Sequence, residues 1–311
     1  MNEVELLAQL LPSLPRNNSV VVAAGDDCAV LDLGAPEYVL FKTDAVVEGF
    51  HFTRETPPEK IGRKALARCL SDIAAMAGKP NSALITLALP RNFDPVRVQG
   101  IYAGLNALAA EHGVAIVGGE TTTNPERVLI SVALVGTVKK EKCVLRSGAK
   151  SGDAIFTTGK LGGSIHAKHL DFEPRLKEAR WLRGHFNIHA MIDLSDGLAS
   201  DLRHLLKASH VGAELLASAI PISREARLAG RAESSGKPPL LAALTDGEDF
   251  ELLFTVASKD AVALVDAWKK QFPKLPLGCI GKITTEPGLR LRDKNGVRLL
   301  NVHGYTHFEK P

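Results

Sequence analysis

The sequence predicts a mixed α/β protein in two domains, on three observations. Apolar runs of strand length alternate with stretches of helical spacing along the chain. A polar, glycine-punctuated run at 139–153 (Lys-Lys-Glu-Lys-Cys-Val-Leu-Arg-Ser-Gly-Ala-Lys-Ser-Gly-Asp) interrupts that alternation near the middle. With 311 residues the chain is long enough for one large domain or, more naturally, two. The expected domains are residues 1–140 and 141–311.

In chain order, residues 4–14 read as a short amphipathic helix with Val4, Leu7, Leu10 and Leu11 on one side. Strand-like runs follow at Tyr38–Lys42, Ala83–Leu89, Val114–Val117 and Val128–Val138, with helical spacing over 58–77 and 95–112. The second half repeats this character. It offers a strand at Ala154–Thr158, a helix over Gly163–Leu170, a strand at Ala190–Leu194 and a helix over 197–209. After these come strands at 213–216, Glu251–Val256 and Leu277–Ile283 and a helix over 259–272. The stretch 223–240, rich in Ser, Arg, Gly and Pro, reads as a mobile insertion. No short-period repeat is visible.

Composition narrows the function classes. The 38 basic and 35 acidic residues leave a net charge of +3, which is no electrostatic footprint for nucleic acid. Aromatics at 5% give no base-stacking platform. Cys28, Cys69, Cys143 and Cys279 lie far apart without a CxxC pair, so buried free thiols are expected rather than zinc or disulfides. The amino-terminal segment has Glu3 and Glu5 and no basic region of a signal peptide, and no apolar stretch reaches membrane-spanning length. A cytoplasmic protein is expected.

The chemistry lies in short acidic motifs where apolar runs end: Gly25-Asp26-Asp27, Thr43-Asp44, Ser71-Asp72, Gly118-Gly119-Glu120 and Asp193-Leu194-Ser195-Asp196-Gly197. Converging carboxylates repel one another and persist together when cations sit between them. Hard oxygen donors without a Cys/His cluster point to Mg²⁺, and Mg²⁺ held this way usually also holds phosphates. Gly25 lets the chain turn so that two adjacent acids face a ligand, with a solvated turn as the alternative. Ser71-Asp72 is read as an interruption of a helical stretch, with an N-cap as the alternative to a metal partner. Paired glycines at 118–119 expose backbone N–H groups to phosphate, with Glu120 just after them to hold its metal; an ordinary Gly-Gly turn is the alternative. Arg146 offers a bidentate phosphate grip, or is a linker arginine in solvent. His51 lies between two phenylalanines, which suits a core histidine as well as a ligand. The run Thr245-Asp246-Gly247-Glu248-Asp249-Phe250-Glu251 is an acidic loop of the kind usually exposed to solvent. There is no P-loop, no kinase-type glycine-rich loop with its partner motifs, no nucleophile elbow and no HExxH.

Taken in order, six motifs resemble the thiamine-monophosphate kinase family, within the larger aminoimidazole-ribotide synthetase-like group. They are Gly-Asp-Asp-Cys-Ala from Gly25, Thr-Asp-x-x-x-Glu-Gly-x-His-Phe from Thr43, Leu-Ser-Asp-Ile-Ala-Ala-Met from Leu70, Arg-Ser-Gly-Ala from Arg146, Ile-Asp-Leu-Ser-Asp-Gly-Leu from Ile192 and Gly-Glu-Asp-Phe-Glu-Leu-Leu-Phe from Gly247. The resemblance spans about Gly25 to Phe308. It implies a two-domain α/β fold whose amino-terminal strands form a barrel shared in a homodimer. The first domain would bind ATP and Mg²⁺ and the second would complete the site. It also implies ATP-dependent phosphorylation of thiamine monophosphate to thiamine diphosphate. Carried over by position, Asp27, Thr43, Asp44, Asp72, Glu120, Asp193 and Asp196 would hold several Mg²⁺ ions. Gly119, Glu120, Arg146 and Ser195 would touch ATP, and His51, Glu248 and Tyr305 would meet thiamine monophosphate. No general base or covalent nucleophile is implied, because the acceptor is itself an ionised phosphate.

Four positions depart from the family pattern. Glu120 replaces an aspartate, Thr123-Asn124 stands for Arg-Gly, Lys42 for a small hydroxyl residue, and Asp246 for a glycine. The rival expectations are an enzyme of the same fold with another acceptor, or a non-catalytic protein that senses a nucleotide or thiamine phosphate.

Overall fold

A computed structural model describes residues 3–166, 168–231, 236–305 and 308, with Val4 described by its backbone only. It divides into two compact units, one of residues 19–143 and 169–180, the other of residues 1–18, 144–168 and 181–311. The first helix, α1 (Glu3–Leu10), ends in a 3-10 turn at Leu11–Ser13.

The first unit is built on a six-stranded sheet of β1 (Val20–Val22), β2 (Ala29–Leu31), β3 (Glu37–Val47), β4 (Lys79–Leu89), β5 (Ala115–Thr123) and β6 (Leu129–Lys139), in the order β1-β2-β3-β6-β4-β5. Two helices, α2 (Pro58–Ala75) and α3 (Pro95–His112), pack on one face. Proline in the first turn starts each, where its missing N–H costs nothing. Asp94 also caps α3 by accepting from Val96 N at 2.9 Å. Ile61, Leu66, Leu70 and Ile73 form the buried stripe of α2, and Ala83, Ile85 and Leu87 face inward from β4.

Three sequence expectations change here. The helix carrying Ser71-Asp72 is not interrupted, because α2 runs through both residues and buries them. The strand expected to end at Lys42 continues to Val47, paired residue by residue with β6. The strand expected at Val114–Val117 extends through Gly118, Gly119 and Glu120 to Thr123, in parallel pairing with β4.

The second unit carries a seven-stranded sheet ordered β13-β12-β9-β11-β7-β10-β8. Its elements are β7 (Ala154–Thr158), α4 (Leu176–His185, at whose Arg180–Trp181 bond the units divide), β8 (Ile188–Asp193), α5 (Leu198–Ser209), β9 (Gly212–Leu216), α6 (Arg224–Ala229), α7 (Pro239–Thr245), β10 (Leu252–Val256), α8 (Ala261–Gln271), β11 (Leu277–Thr284), β12 (Gly288–Asp293) and β13 (Gly296–Leu299). Its core gathers Ile155, Ile192, Leu198, Leu202, Leu205, Leu215, Leu253 and Ile283. The helix expected over 163–170 is a single 3-10 turn, Ser164–His166, followed by turn geometry, with Ala167 outside the described residues. Within the expected insertion at 223–240, α6 and the start of α7 are regular helix, and residues 232–235 lie outside the described ones. All four cysteines are free, but only Cys28 and Cys69 are buried; Cys143 is half-buried and Cys279 exposed. Among the described residues no helix is long and apolar enough to cross a membrane.

Candidate active site

In the six-stranded unit Asp44 and Asp72 come together between β3 and α2. Side chains alternate along a strand, so Lys42 and Asp44 share one face of β3 while Thr43 points to the other. The Thr43 hydroxyl accordingly meets Ser131 Oγ at 3.3 Å on the far side of the sheet. Only the Thr43 backbone remains available to a metal near Asp44. On α2, Arg68 and Asp72 lie four residues apart and so share a helix face.

The result is a cluster of two anions and two cations. Lys42 Nζ lies 2.8 Å from Asp72 Oδ1. Arg68 Nε donates to Asp44 Oδ2 at 2.8 Å and its Nη2 to Oδ1 at 3.2 Å. Burial alone would lower the Lys42 ammonium pKa, but Asp72 and Asp44 outweigh it and raise it well above the lysine range. Burial would likewise raise the Asp44 carboxyl, yet Arg68 and Lys42 hold it below its ordinary value. Sequence reasoning singled out Lys42 and missed Arg68; its signal was a lone arginine in the otherwise apolar run before Ser71-Asp72.

Asp27 is buried at the turn between β1 and β2, where Gly25 at φ +127° supplies a conformation side-chain-bearing residues rarely adopt. Glu120 and Gly119 sit on the exposed edge strand β5. A Cβ on Gly119 would stand 1.8 Å from the Ile85 carbonyl oxygen, so this glycine is required by strand packing irrespective of phosphate. His51 accepts the Val47 N–H at Nδ1 (3.1 Å), which orients the ring with Nε2 away from that bond.

In the seven-stranded unit, β8 ends on buried Asp193 and the chain turns through Ser195, Asp196 and Gly197 into α5. Asp201, missed by sequence reasoning, holds this turn: its Oδ2 accepts from Asp196 N at 3.1 Å and Gly197 N at 3.0 Å. Gly197 brings no capping side chain, and an acid in the first turn of α5 takes over that task. That pairing was the available signal. Burial, then the charges of Asp196 and Asp193, push the Asp201 carboxyl well above the carboxylate range, while Arg146 opposes them. Asp193 and Asp196, acids with only oxygen donors on one turn, are a fitting set for a hard divalent cation.

The acidic loop 246–251 lies against this turn. Glu248 N donates to Ser195 O at 2.7 Å and Phe250 N to Leu194 O at 2.7 Å, and Glu248 and Phe250 both adopt positive φ. Tyr305 N donates to Asp196 O at 2.9 Å, which brings the third expected substrate residue to the same turn. The loop is not the solvated one expected. Asp249 and Glu251 are buried, the first accepting from Gly162 N (2.9 Å) and Ser164 Oγ, the second from Thr158 Oγ1 (2.8 Å) and Lys168 Nζ (2.9 Å). Asp246, the departure from glycine, accepts from Gly163 N at 2.9 Å and pairs with Lys237.

Residues 25–138 match the amino-terminal domain of AIR synthase related proteins and residues 148–294 the carboxy-terminal domain. A thiamine-monophosphate kinase of Rhodopirellula baltica is 40% identical over 296 residues, covering 92% of this chain and 91% of its own length. The chain belongs to the thiamine-monophosphate kinase family. Its Bacillus subtilis member is 31% identical over 99% of this chain and 100% of its own. A solved structure described as AaThiL complexed with AMPPCP and TMP matches with a TM-score of 0.81 at 29% identity, over 99% of this chain and 97% of that one. Most family-motif residues, Asp27 to Glu120 and Asp193 to Glu248, fall inside the two matched domains; Arg146 and Tyr305 lie outside them.

Proposed function

We propose that the protein transfers the γ-phosphoryl group of ATP to the phosphate of thiamine monophosphate, giving thiamine diphosphate and ADP. The observation that carries this reading is near-full-length similarity to thiamine-monophosphate kinases, joined to carboxylate groups in both units at the family motifs. The substrates follow from the AMPPCP and TMP complex of the similar structure.

Asp27, Asp44, Asp72 and Glu120 in one unit, and Asp193 and Asp196 in the other, are the proposed Mg²⁺ ligands, with Thr43 contributing through its backbone. Bound Mg²⁺ would screen the repulsion between the phosphates and neutralise charge that develops on the transferred group. Arg146 and Ser195 in one unit, and Gly119 and Glu120 in the other, are assigned to ATP. His51 offers Nε2, and Glu248 and Tyr305 are carried by the Asp196 turn, as contacts for the acceptor. Direct in-line attack fits the absence of a nucleophile motif, since phosphoryl transfer depends on alignment and charge more than on a strong base. Residues 1–140 are proposed as the ATP- and Mg-binding, dimer-forming domain and residues 141–311 as the domain that completes the site, in a cytoplasmic homodimer.

Incubation with ATP, Mg²⁺ and thiamine monophosphate should yield thiamine diphosphate, with none from thiamine or without acceptor. Asp193→Asn should lower the rate by roughly 100-fold or more. ATP binding without diphosphate from any thiamine phosphate would replace this reading with a sensing role, and turnover with another phosphate acceptor would redirect it.

A further inference from the structure

The β3–α2 cluster contains its own counter-charges. Asp44 and Asp72 face two cations, Lys42 and Arg68, and a third acid, buried Asp27, has a carboxylate oxygen within 4.8 Å of one of Asp72. Both Asp44 oxygens and one Asp72 oxygen are engaged by side-chain nitrogen at 2.8–3.2 Å. The Asp72 side chain is 9% exposed and that of Lys42 24%, so solvent does little to screen the pair.

We propose that Lys42 is a resident cation that stands in for one divalent ion among the carboxylates of the six-stranded unit. The inference rests on the kinase reading and deepens it. An ammonium group has three donors and no lone pair, so it cannot ligate a metal. Mg²⁺ needs bare oxygen at about 2.0–2.1 Å in near-octahedral geometry. A divalent ion seated on Asp72 Oδ1 would therefore have to expel Lys42 or lie against a like charge. The Lys42 ammonium is supplied by the chain itself, 2.8 Å from Asp72 Oδ1, so this cation does not come from solution. Arg68 acts as a positioning residue: its two-point grip fixes the Asp44 carboxylate beside Lys42, and its place one helical turn before Asp72 ties both acids to one surface. Lys42 thus has a task, and the protein needs one metal ion fewer at this group.

The test counts metal ions directly. Mn²⁺ bound per chain would be measured by equilibrium dialysis and electron paramagnetic resonance on the full-length protein with AMPPCP. The variants are Lys42→Ser, Lys42→Met and Lys42→Arg, with wild-type diphosphate formation assayed in parallel. Lys42→Ser should bind one more Mn²⁺ per chain than wild type, and Lys42→Arg the wild-type number. Lys42→Met removes the charge without adding a hard donor, and should also gain an ion; it decides the matter if the serine variant misfolds. An unchanged count and affinity in the folded neutral variants would overturn the inference, as would an extra ion in Lys42→Arg. If wild type makes thiamine diphosphate while the neutral variants gain no ion, this inference alone fails. If they gain an ion but wild type makes no diphosphate, the kinase reading fails and the charge replacement stands.

Discussion

Asp201 shows how much of the site depends on a residue that touches no expected ligand. Its carboxylate receives two backbone N–H groups of the Asp196–Gly197 turn while 2% exposed. Asp201→Ala leaves both donors buried without an acceptor, at about 1–3 kcal/mol each. Urea unfolding should show a loss of about 2–4 kcal/mol, whereas Asp201→Asn, which keeps an acceptor, should lose about 1 kcal/mol or less. Equal losses would mean that charge rather than turn-holding is its task. Asp249 gives a prediction in pH. Burial raises its carboxyl to about 6 from an ordinary 3.8, against the pull of Lys168. Between those values the folded protein binds a proton that the unfolded chain has released, so stability falls as pH rises and the penalty is complete above about 6. Relative to Asp249→Asn, wild type should lose on the order of 2–3 kcal/mol between pH 4 and pH 7. A difference that does not vary with pH would show that the group titrates normally. These two acids also mark what the sequence concealed. Asp27, Asp44, Asp72, Asp193 and Asp196 stand out as candidates in the sequence because they sit in short acidic motifs beside apolar runs. Arg68, Asp201 and the burial of Asp249 do not, because a buried counter-charge and an exposed one look alike until the fold brings their partners.

At the scale of elements, the departures from sequence expectation have a common cause in pairing. Polar Lys42 and Asp44 break the apolar pattern of β3, but eleven residues of antiparallel pairing with β6 hold it extended, and the two charges cancel against α2. Gly118-Gly119 reads as a turn, yet parallel pairing with β4 carries the strand through both glycines. Gly119 then becomes necessary because the Ile85 carbonyl occupies the space of its Cβ. Gly119→Ala should therefore lower unfolding free energy by roughly 2 kcal/mol or more before ATP is added. Gly118→Ala, whose Cβ would meet only Leu84 Cδ2 at 3.6 Å, should cost less despite its φ of +148°. If Gly119→Ala weakened ATP binding at unchanged stability, the glycine would belong to a phosphate cradle and not to the sheet. Helices α2, α3, α5 and α8 were legible because their apolar spacing and breakers coincide. The stretch 163–170 has a 3-10 turn at Ser164–His166 where a helix was expected, and the Gly162 and Gly163 N–H groups go to Asp249 and Asp246, a long-range pairing no local pattern reveals.

At the scale of the molecule, the six-stranded sheet has two unlike faces. One is covered by α2 and α3; the other exposes Phe41 at 49% and Leu84 at 48% beside the Thr43–Ser131 pair. Its edge strand β5 presents Val117 at 62% exposure. An open edge next to an uncovered apolar face is a liability for a chain that remains alone in solution, and natural sheets blunt such edges with charge or cover them. Among the described residues of β5 the one charged side chain is Glu120. The proposed homodimer, whose amino-terminal strands the family resemblance places in a shared barrel, resolves this if two such sheets close on one another. Sedimentation equilibrium should then find a dimer at micromolar concentration. The double variant Leu84→Lys, Val117→Lys should be monomeric with its circular dichroism retained, because charge at an uncovered edge opposes pairing without touching the α2–α3 core. A monomeric wild type would remove the dimer from this account. A dimer indifferent to both lysines would move the interface to another surface.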